Sequence, residues 1–381
     1  MGHRTVPLSA PDITIEERQL VDEVLRSGQL SCGPVLASFE REFAARFGAR
    51  HAIAMSSGTA ALHVAVIAAG IGEGDVVITT PFSFIASSNA ILYERGTPHF
   101  VDIDPDTLAI DPAATIDAIE SLAPAGRLRA VLPVHIFGRP AEMRGIVDTA
   151  RRHGIAVIED ACEAIGASSD GVAAGRWGDA AAFGFYPNKQ ITTGEGGMLL
   201  TDRDDWARLA RSLRNHGRSD DDEWLRHDRI GYNYRLDDLS AAVGLAQIRR
   251  LDELLQKRAA VAARYNDSFA DVEGITPLAP ARAGMQLSWF VYVVRVAPEI
   301  GRDRLRSALA ARGVASRPYF PPIHLQPAYQ ERFGFRPGMF PNAEAAGECL
   351  LALPMHGNLP ANDIDYVVSC VADEVGARVT K

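Results

Sequence analysis

AVLPVHIFGRPAEMRGIVDTARRHGIAVIED, residues 130–160, carries the pattern on which the fold turns. An apolar run at 130–135 is followed by a helical pattern at 141–153 and a second apolar run at 156–160. Both runs are rich in Val and Ile and mostly apolar on both faces, as strands covered on both sides are. The pattern extends in both directions. Residues 76–79 and 99–102 read as strands upstream, and 180–185 and 198–201 read as strands downstream. Residues 59–69, 85–94 and 112–122 read as helices. Such alternation predicts an α/β domain with a mainly parallel sheet.

Past residue 202 the pattern changes. Residues 237–269 carry one long helical stripe that includes Leu251, Leu254, Val261, Tyr265 and Phe269, and Pro277, Pro280 and Gly284 end it. A shorter alternation follows, with strands at 289–296 and 314–319 and helices at 303–312, 343–351 and 362–375. The expected division is a large domain over residues 1–255 and a smaller C-terminal α/β domain over 256–381.

Composition bounds what such a chain does. The 381 residues are 47% hydrophobic and 23% charged, an ordinary balance that excludes disorder and collagen-like repeats. The net charge is −9, from 39 Lys plus Arg against 48 Asp plus Glu, which argues against nucleic-acid binding. Cys32, Cys162, Cys349 and Cys370 form no C-x-x-C pair, so neither a disulfide framework nor a zinc site is expected. No signal-peptide core opens the chain. The least polar stretch, 52–71, is interrupted by Ser56, Ser57, Thr59 and His63. The expectation is a cytoplasmic protein with no membrane span and no metal.

Three local patterns are decoys. Gly70-Ile71-Gly72-Glu73-Gly74 follows a helix and precedes a strand, the reverse of a dinucleotide fingerprint, and reads as a helix-terminating turn. Asp102-x-Asp104-x-Asp106 lacks the Gly and Glu of a calcium loop and reads as a polar turn. Asp220-Asp221-Asp222-Glu223 reads as a solvated loop.

Three other segments carry chemistry together. Ser56-Ser57-Gly58-Thr59-Ala60 opens an apolar helix, where N–H groups, hydroxyls and the helix dipole hold an anion or where Ser57 or Thr59 simply caps the helix. Glu159 and Asp160 end a core strand, at the edge where open α/β sheets bind ligands. A carboxylate there keeps a ring nitrogen protonated or orients a loop. Phe185-Tyr186-Pro187-Asn188-Lys189 is followed by Thr192-Thr193-Gly194-Glu195-Gly196-Gly197. A lysine in such a turn, between two apolar strands, suits Schiff-base chemistry with an aldehyde. An anion cradle, a strand-end carboxylate and a lysine are the parts that pyridoxal 5'-phosphate (PLP) requires.

With these motifs the sequence resembles the DegT/DnrJ-type nucleotide-sugar aminotransferases of fold type I. The resemblance runs from about residue 7 to 375. It is carried also by Thr80-Pro81-Phe82-Ser83-Phe84, Pro133-Val134-His135, Ile158-Glu159-Asp160-Ala161-Cys162-Glu163, Leu213-Arg214-Asn215-His216-Gly217 and Gly231-Tyr232-Asn233-Tyr234-Arg235. It implies a three-layer α/β/α large domain with a mainly parallel sheet plus a smaller C-terminal α/β domain. It implies that Lys189 bonds the cofactor and shuttles the proton, and that Asp160 pairs with the pyridinium nitrogen. Ser57, Gly58 and Thr59 would lie at the phosphate, Phe84 would stack on the ring, and Glu163 would sit near the phenolic oxygen. Asn233 would cross to the phosphate of a second copy, making a homodimer with shared sites. Gly184 departs from the family, many members of which have a phosphate-binding Ser there.

The substrate branch that the sequence resembles is that of the perosamine synthases. It implies amination of a nucleotide-linked keto-deoxy sugar, a 4-keto-6-deoxyhexose first, with glutamate as donor and ping-pong order. Amination at C3 or of a keto-cyclitol, a PLP sugar dehydratase and a non-catalytic regulatory homologue are the alternatives. Relatives that act as dehydratases replace the lysine by His, and Lys189 argues against that branch. Arg317, Tyr319 and His324, in a Pro-rich loop, are expected to bind the sugar nucleotide. Arg218 and Arg235 read either as diphosphate ligands or as structural ion pairs.

Overall fold

The computed structural model of the chain describes residues 4–219 and 225–379. The acidic run at 220–223 lies outside them. Seven strands form one sheet: β1 (His51–Met55), β2 (Val76–Thr79), β3 (Thr97–Phe100), β4 (Leu128–Val131), β5 (Ala156–Asp160), β6 (Ala180–Gly184) and β7 (Gly197–Thr201), in the order β1-β7-β6-β5-β4-β2-β3. The run from β3 to β6 is parallel, and β7 alone is reversed, pairing antiparallel with β6 and β1. A parallel pair needs a long crossover, whereas the connection from β6 to β7 has no helix, so β7 must return antiparallel. That short connection carries Lys189.

Helices cover both faces. On one side lie α3 (Gly58–Ala68), α4 (Ala86–Tyr93) and α7 (Asp204–Arg214), whose Leu62, Val66, Ile91 and Trp206 pack on Ala180 and Ala182 of β6 and their neighbours. On the other side Phe39 and Phe43 of α2 (Pro34–Phe47) meet Ala181 and Phe183. The alternation along β6 is that of a strand buried twice. A smaller antiparallel sheet joins β8 (Ile275–Pro277), β9 (Tyr292–Val296) and β10 (Leu350–Leu353). Its core gathers Tyr265, Phe269, Tyr292, Val294, Leu351, Leu353 and Val367. Val6 packs there too and bridges to Val314, so the N-terminal segment runs with this smaller unit.

Several expected elements differ from those observed. The long helix is two, α8 (Asp238–Arg249) and α9 (Leu251–Phe269), broken at Arg250. Arg250 is 9% exposed, and its guanidinium reaches Asp12, Glu17 and Glu253, which fixes the turn. Leu251 and Leu254 pack in the large core and Val261 onward in the small one. The strand expected at 314–319 is reduced to isolated bridges at Val314 and Arg317, because Pro318 has no N–H to extend a ladder. The helix expected at 343–351 ends at Cys349, and Leu350–Leu353 is strand. The helix Ile15–Ser27 was not foreseen. Its Thr14–Glu17 capping box was readable, but its apolar stripe is weak.

The two decoys within the described residues are turns. Gly70, at φ 72°, closes the end of α3. Asp104 accepts from the N–H groups of Asp106 and Thr107, and Asp102 from those of Asn342 and Ala343. All four cysteines are free, and among the described residues no helix is long and apolar enough to cross a membrane.

Candidate active site

A cavity of about 430 Å³ opens at the carboxyl ends of β5 and β6. It is lined by Ser57, Gly58, Thr59, Phe84, Asp160, Glu163, Gly184, Lys189 and Tyr319 among others. Segments as far apart in sequence as Ser57 and Tyr319 therefore meet in one place. A larger open groove of about 1030 Å³, running from α9 to segment 277–289, holds none of the expected site residues.

The expected anion cradle is the start of α3. Ser57 caps the helix, its Oγ accepting from Ala60 N–H at 3.1 Å, while its carbonyl takes that of Ala61. The N–H groups of Gly58 and Thr59 keep no intrahelical partner, as at any helix start. A Cβ at Gly58 would stand 2.8 Å from Cys162 Sγ. A Cβ at Gly197 would stand 2.4 Å from the carbonyl of Ser57, so the glycine-rich run lets β7 close on this turn.

Glu159 and Asp160 point to opposite faces, as neighbours in a strand do. Glu159 is fully buried and accepts from His135 Nε2 and from the N–H groups of Gly175, Trp177 and Gly178. Both residues of this His135–Glu159 pair are structural. Asp160, 5% exposed, faces the cavity. Ser87 Oγ donates to one of its oxygens at 2.6 Å and Cys162 N–H to the other at 3.1 Å.

Lys189 Nζ lies 3.6 Å from Glu163 Oε1 and 3.8 Å from the ring centre of Phe290. Burial pushes the Glu163 carboxyl above the ordinary glutamate value, against the opposing pull of the Lys189 ammonium and the Phe137 N–H. Tyr319 is likewise held above the usual phenol range, by burial and then by the Glu163 charge. The Cys162 thiol is pushed well up by burial and by Asp160. Phe84 is 60% exposed at the cavity, an aromatic face without a cover.

Not every expected residue reaches the cavity. His324 is fully buried, with Nε2 on Glu344 at 3.0 Å and its ring edge-on to Phe340. Direct sugar contact is thereby corrected to support of the loop. Arg317 is exposed, and Asn233 is exposed and bridges to Asn215. Neither lines this chain's cavity. Arg235 donates to Asn215 at 2.9 Å. Phe290, Asn188 and Ser83 line the cavity, and Ser87 bonds Asp160, without having been foreseen. The residues at hand fit PLP: an anion cradle, an anchored carboxylate, a lysine and an open aromatic face within one cavity.

The model of the DegT/DnrJ/EryC1/StrS aminotransferase family matches residues 11–372. The GDP-perosamine synthase of Caulobacter vibrioides is 40% identical over 96% of this chain and 97% of its own. The spore coat polysaccharide biosynthesis protein SpsC of Bacillus subtilis is 39% identical over 97% of each. Among solved structures, S. venezuelae DesV in complex with a ketimine intermediate is 35% identical, with a TM-score of 0.89 over 97% of this chain and 98% of that one. Further structural neighbours at 27% identity were solved in a PLP-form and a PMP-form.

Proposed function

Because this chain belongs to the DegT/DnrJ/EryC1/StrS aminotransferase family, we propose that it moves the amino group of glutamate to a nucleotide-linked 4-keto-6-deoxyhexose in two alternating half-reactions. The enzyme class, a PLP-dependent sugar aminotransferase of fold type I, comes with the family. The observation that carries the reading is Lys189 Nζ, held beside Glu163 and the Phe290 ring in the same cavity as Asp160 and the start of α3.

When bound, PLP supplies an electron sink that stabilises negative charge on the carbon losing its proton. The chain does the rest. Gly58 and Thr59 hold the phosphate with N–H groups and the helix dipole. Asp160, fixed by Ser87 and Cys162, keeps the ring nitrogen protonated. Phe84 covers one ring face. Lys189 Nζ takes the proton from one carbon and returns it to the other, and Tyr319, kept in its protonated form, donates to the sugar. Glu163, beside Lys189, would face the phenolic oxygen. Arg317 and Tyr319 meet the sugar nucleotide, and His324 holds their loop. Asn233 of one copy would reach the phosphate in its partner, which makes the active unit a homodimer; its place is the cytoplasm. The exposure of Asn233, and that of Tyr93 and Ile230 at 53% and 91%, supports the homodimer.

The test is spectroscopic. Glutamate should convert the absorption of the enzyme from the PLP to the PMP form, and no response to any amino acid would overturn the reading. Product analysis with nucleotide-linked 4-keto sugars, 3-keto sugars and a keto-cyclitol then decides the acceptor.

A further inference from the structure

Arg258 lies on α9, 4% exposed, and forms no ion pair among the described residues. Its guanidinium is spent on carbonyls instead. Nη1 donates to Trp289 and Phe290 at 3.2 Å each, and Nη2 to Asn188 at 3.4 Å and Lys189 at 2.7 Å. Two successive carbonyls on each of two segments are thus gripped by one rigid fork. Lys189 is pinned on its other side as well, its N–H donating to Tyr186 at 2.9 Å. The second segment supplies the Phe290 ring on which the Lys189 ammonium rests at 3.8 Å.

A buried cation without a counter-anion is expensive, and an apolar side chain of similar volume is often the more stable choice. Burial brings the guanidinium down to about 10. The neighbouring His356, an imidazole that is neutral or cationic, offers no anion either. What the fork supplies is geometry. A planar donor set fixes several acceptors at once, which a lysine ammonium on a flexible stem does not.

We infer that Arg258 is a positioning residue for Lys189: it sets the main chain of the lysine against the Phe290 ring, so that the freed amine rests within reach of the reacting carbon. This deepens the proposed function and rests on it. During amino transfer the lysine side chain is released, and four rotatable bonds must be kept near one orientation. The ring face and Glu163 give it a resting place, and Arg258 keeps ring and lysine in register.

The experiment uses the full-length protein with Arg258→Lys, Arg258→Met and Phe290→Leu. Three readouts are taken: the melting temperature, the affinity and rate with which apoprotein takes up added PLP, and the single-turnover rate of the glutamate-driven absorbance change across pH. Arg258→Lys should melt within about 5 °C of the parent and bind PLP within about threefold. Its bonding of Lys189 to PLP and its glutamate-driven rate should both fall by about 10–100-fold, with a displaced pH profile. Phe290→Leu should slow the same two rates, and it decides the matter if Arg258→Met does not fold. Parent-like rates and pH profile in Arg258→Lys and Phe290→Leu would overturn the inference, whatever the melting temperature. A parent enzyme that ignores glutamate would sink the proposed function instead, and the PLP-uptake rates would still judge Arg258.

Discussion

Two segments close on the cavity, and they are held in opposite ways. The turn from β6 to β7 fixes its main chain and frees a side chain. Thr192 and Gln190 are spent on Phe185, Glu163 and Ser288, the Lys189 carbonyl is held by Arg258, and the lysine side chain reaches the space beside Tyr186 and Asn188, which also line it. Segment 317–325 buries Phe320, Pro322, Ile323 and His324 and leaves Arg317 and Pro321 exposed. His324 is locked on Glu344, Ile323 N–H donates to Pro81 at 2.7 Å, and only Tyr319 and Phe320 face the cavity. A reactive group thus needs a rigid backbone beneath a mobile side chain, whereas a wall needs buried anchors behind an ordinary surface.

Four measurements can break or sharpen that contrast. The largest effect is expected from Lys189→Ala, which should lower kcat/KM by about 10⁴-fold while leaving the melting temperature near the parent's. Loss of folding would make the lysine a wall residue too. His324→Ala should cost about 2–4 kcal/mol in denaturant unfolding, from a new cavity and a lost charged hydrogen bond. The glutamate half-reaction should survive. Full stability with weakened sugar affinity would restore His324 to direct recognition and dissolve the contrast.

A third test addresses the break between α8 and α9, from which both units hang. Burial raises the Glu17 carboxyl, but hydrogen bonds from Thr14 and Gln247 outweigh it and hold the group at about 2. A depressed carboxylate adds stability that is full above its unfolded value and lost as pH falls toward the folded one. Acid titration should therefore remove about 2 kcal/mol between about pH 5 and 2, and Glu17→Gln should flatten that limb.

The smallest effect is expected from Gly184→Ser. A Cβ there meets Cys162 at 3.5 Å, an ordinary contact, so a side chain can be added without a clash at its first atom. PLP affinity should rise about fivefold, by one added hydrogen bond, measured by absorbance titration. Weaker binding would mean that the cradle already has its donors.

The contrast also explains what was legible. The sheet and its lysine follow from apolar runs and turn residues, which are local signals. Lys189, Asp160, Thr59 and Glu163 converge as their positions at strand ends and the helix start require. His324 was misjudged because a histidine in a Pro-rich loop looks polar until its partner, Glu344, some 20 residues on, is placed. Arg258 did carry a signal, since it falls four residues after Leu254 and seven before Tyr265, on the buried stripe of α9. A charge on an apolar face calls for a reason, but the carbonyls that answer it lie some 30 and 70 residues away.

The reversal of β7 has a consequence for the birth of the protein. The lysine turn forms between adjacent strands, yet the turn after β1 reaches it only when His51 pairs with Thr201, about 150 residues later. Such distant pairing is slow. During synthesis, therefore, the turn after β1 is made first and waits for β7, the last strand of this sheet in the chain, before it meets Lys189. Because ligand binding favours only the folded form, a cofactor held in this cavity would stabilise the closed sheet edge.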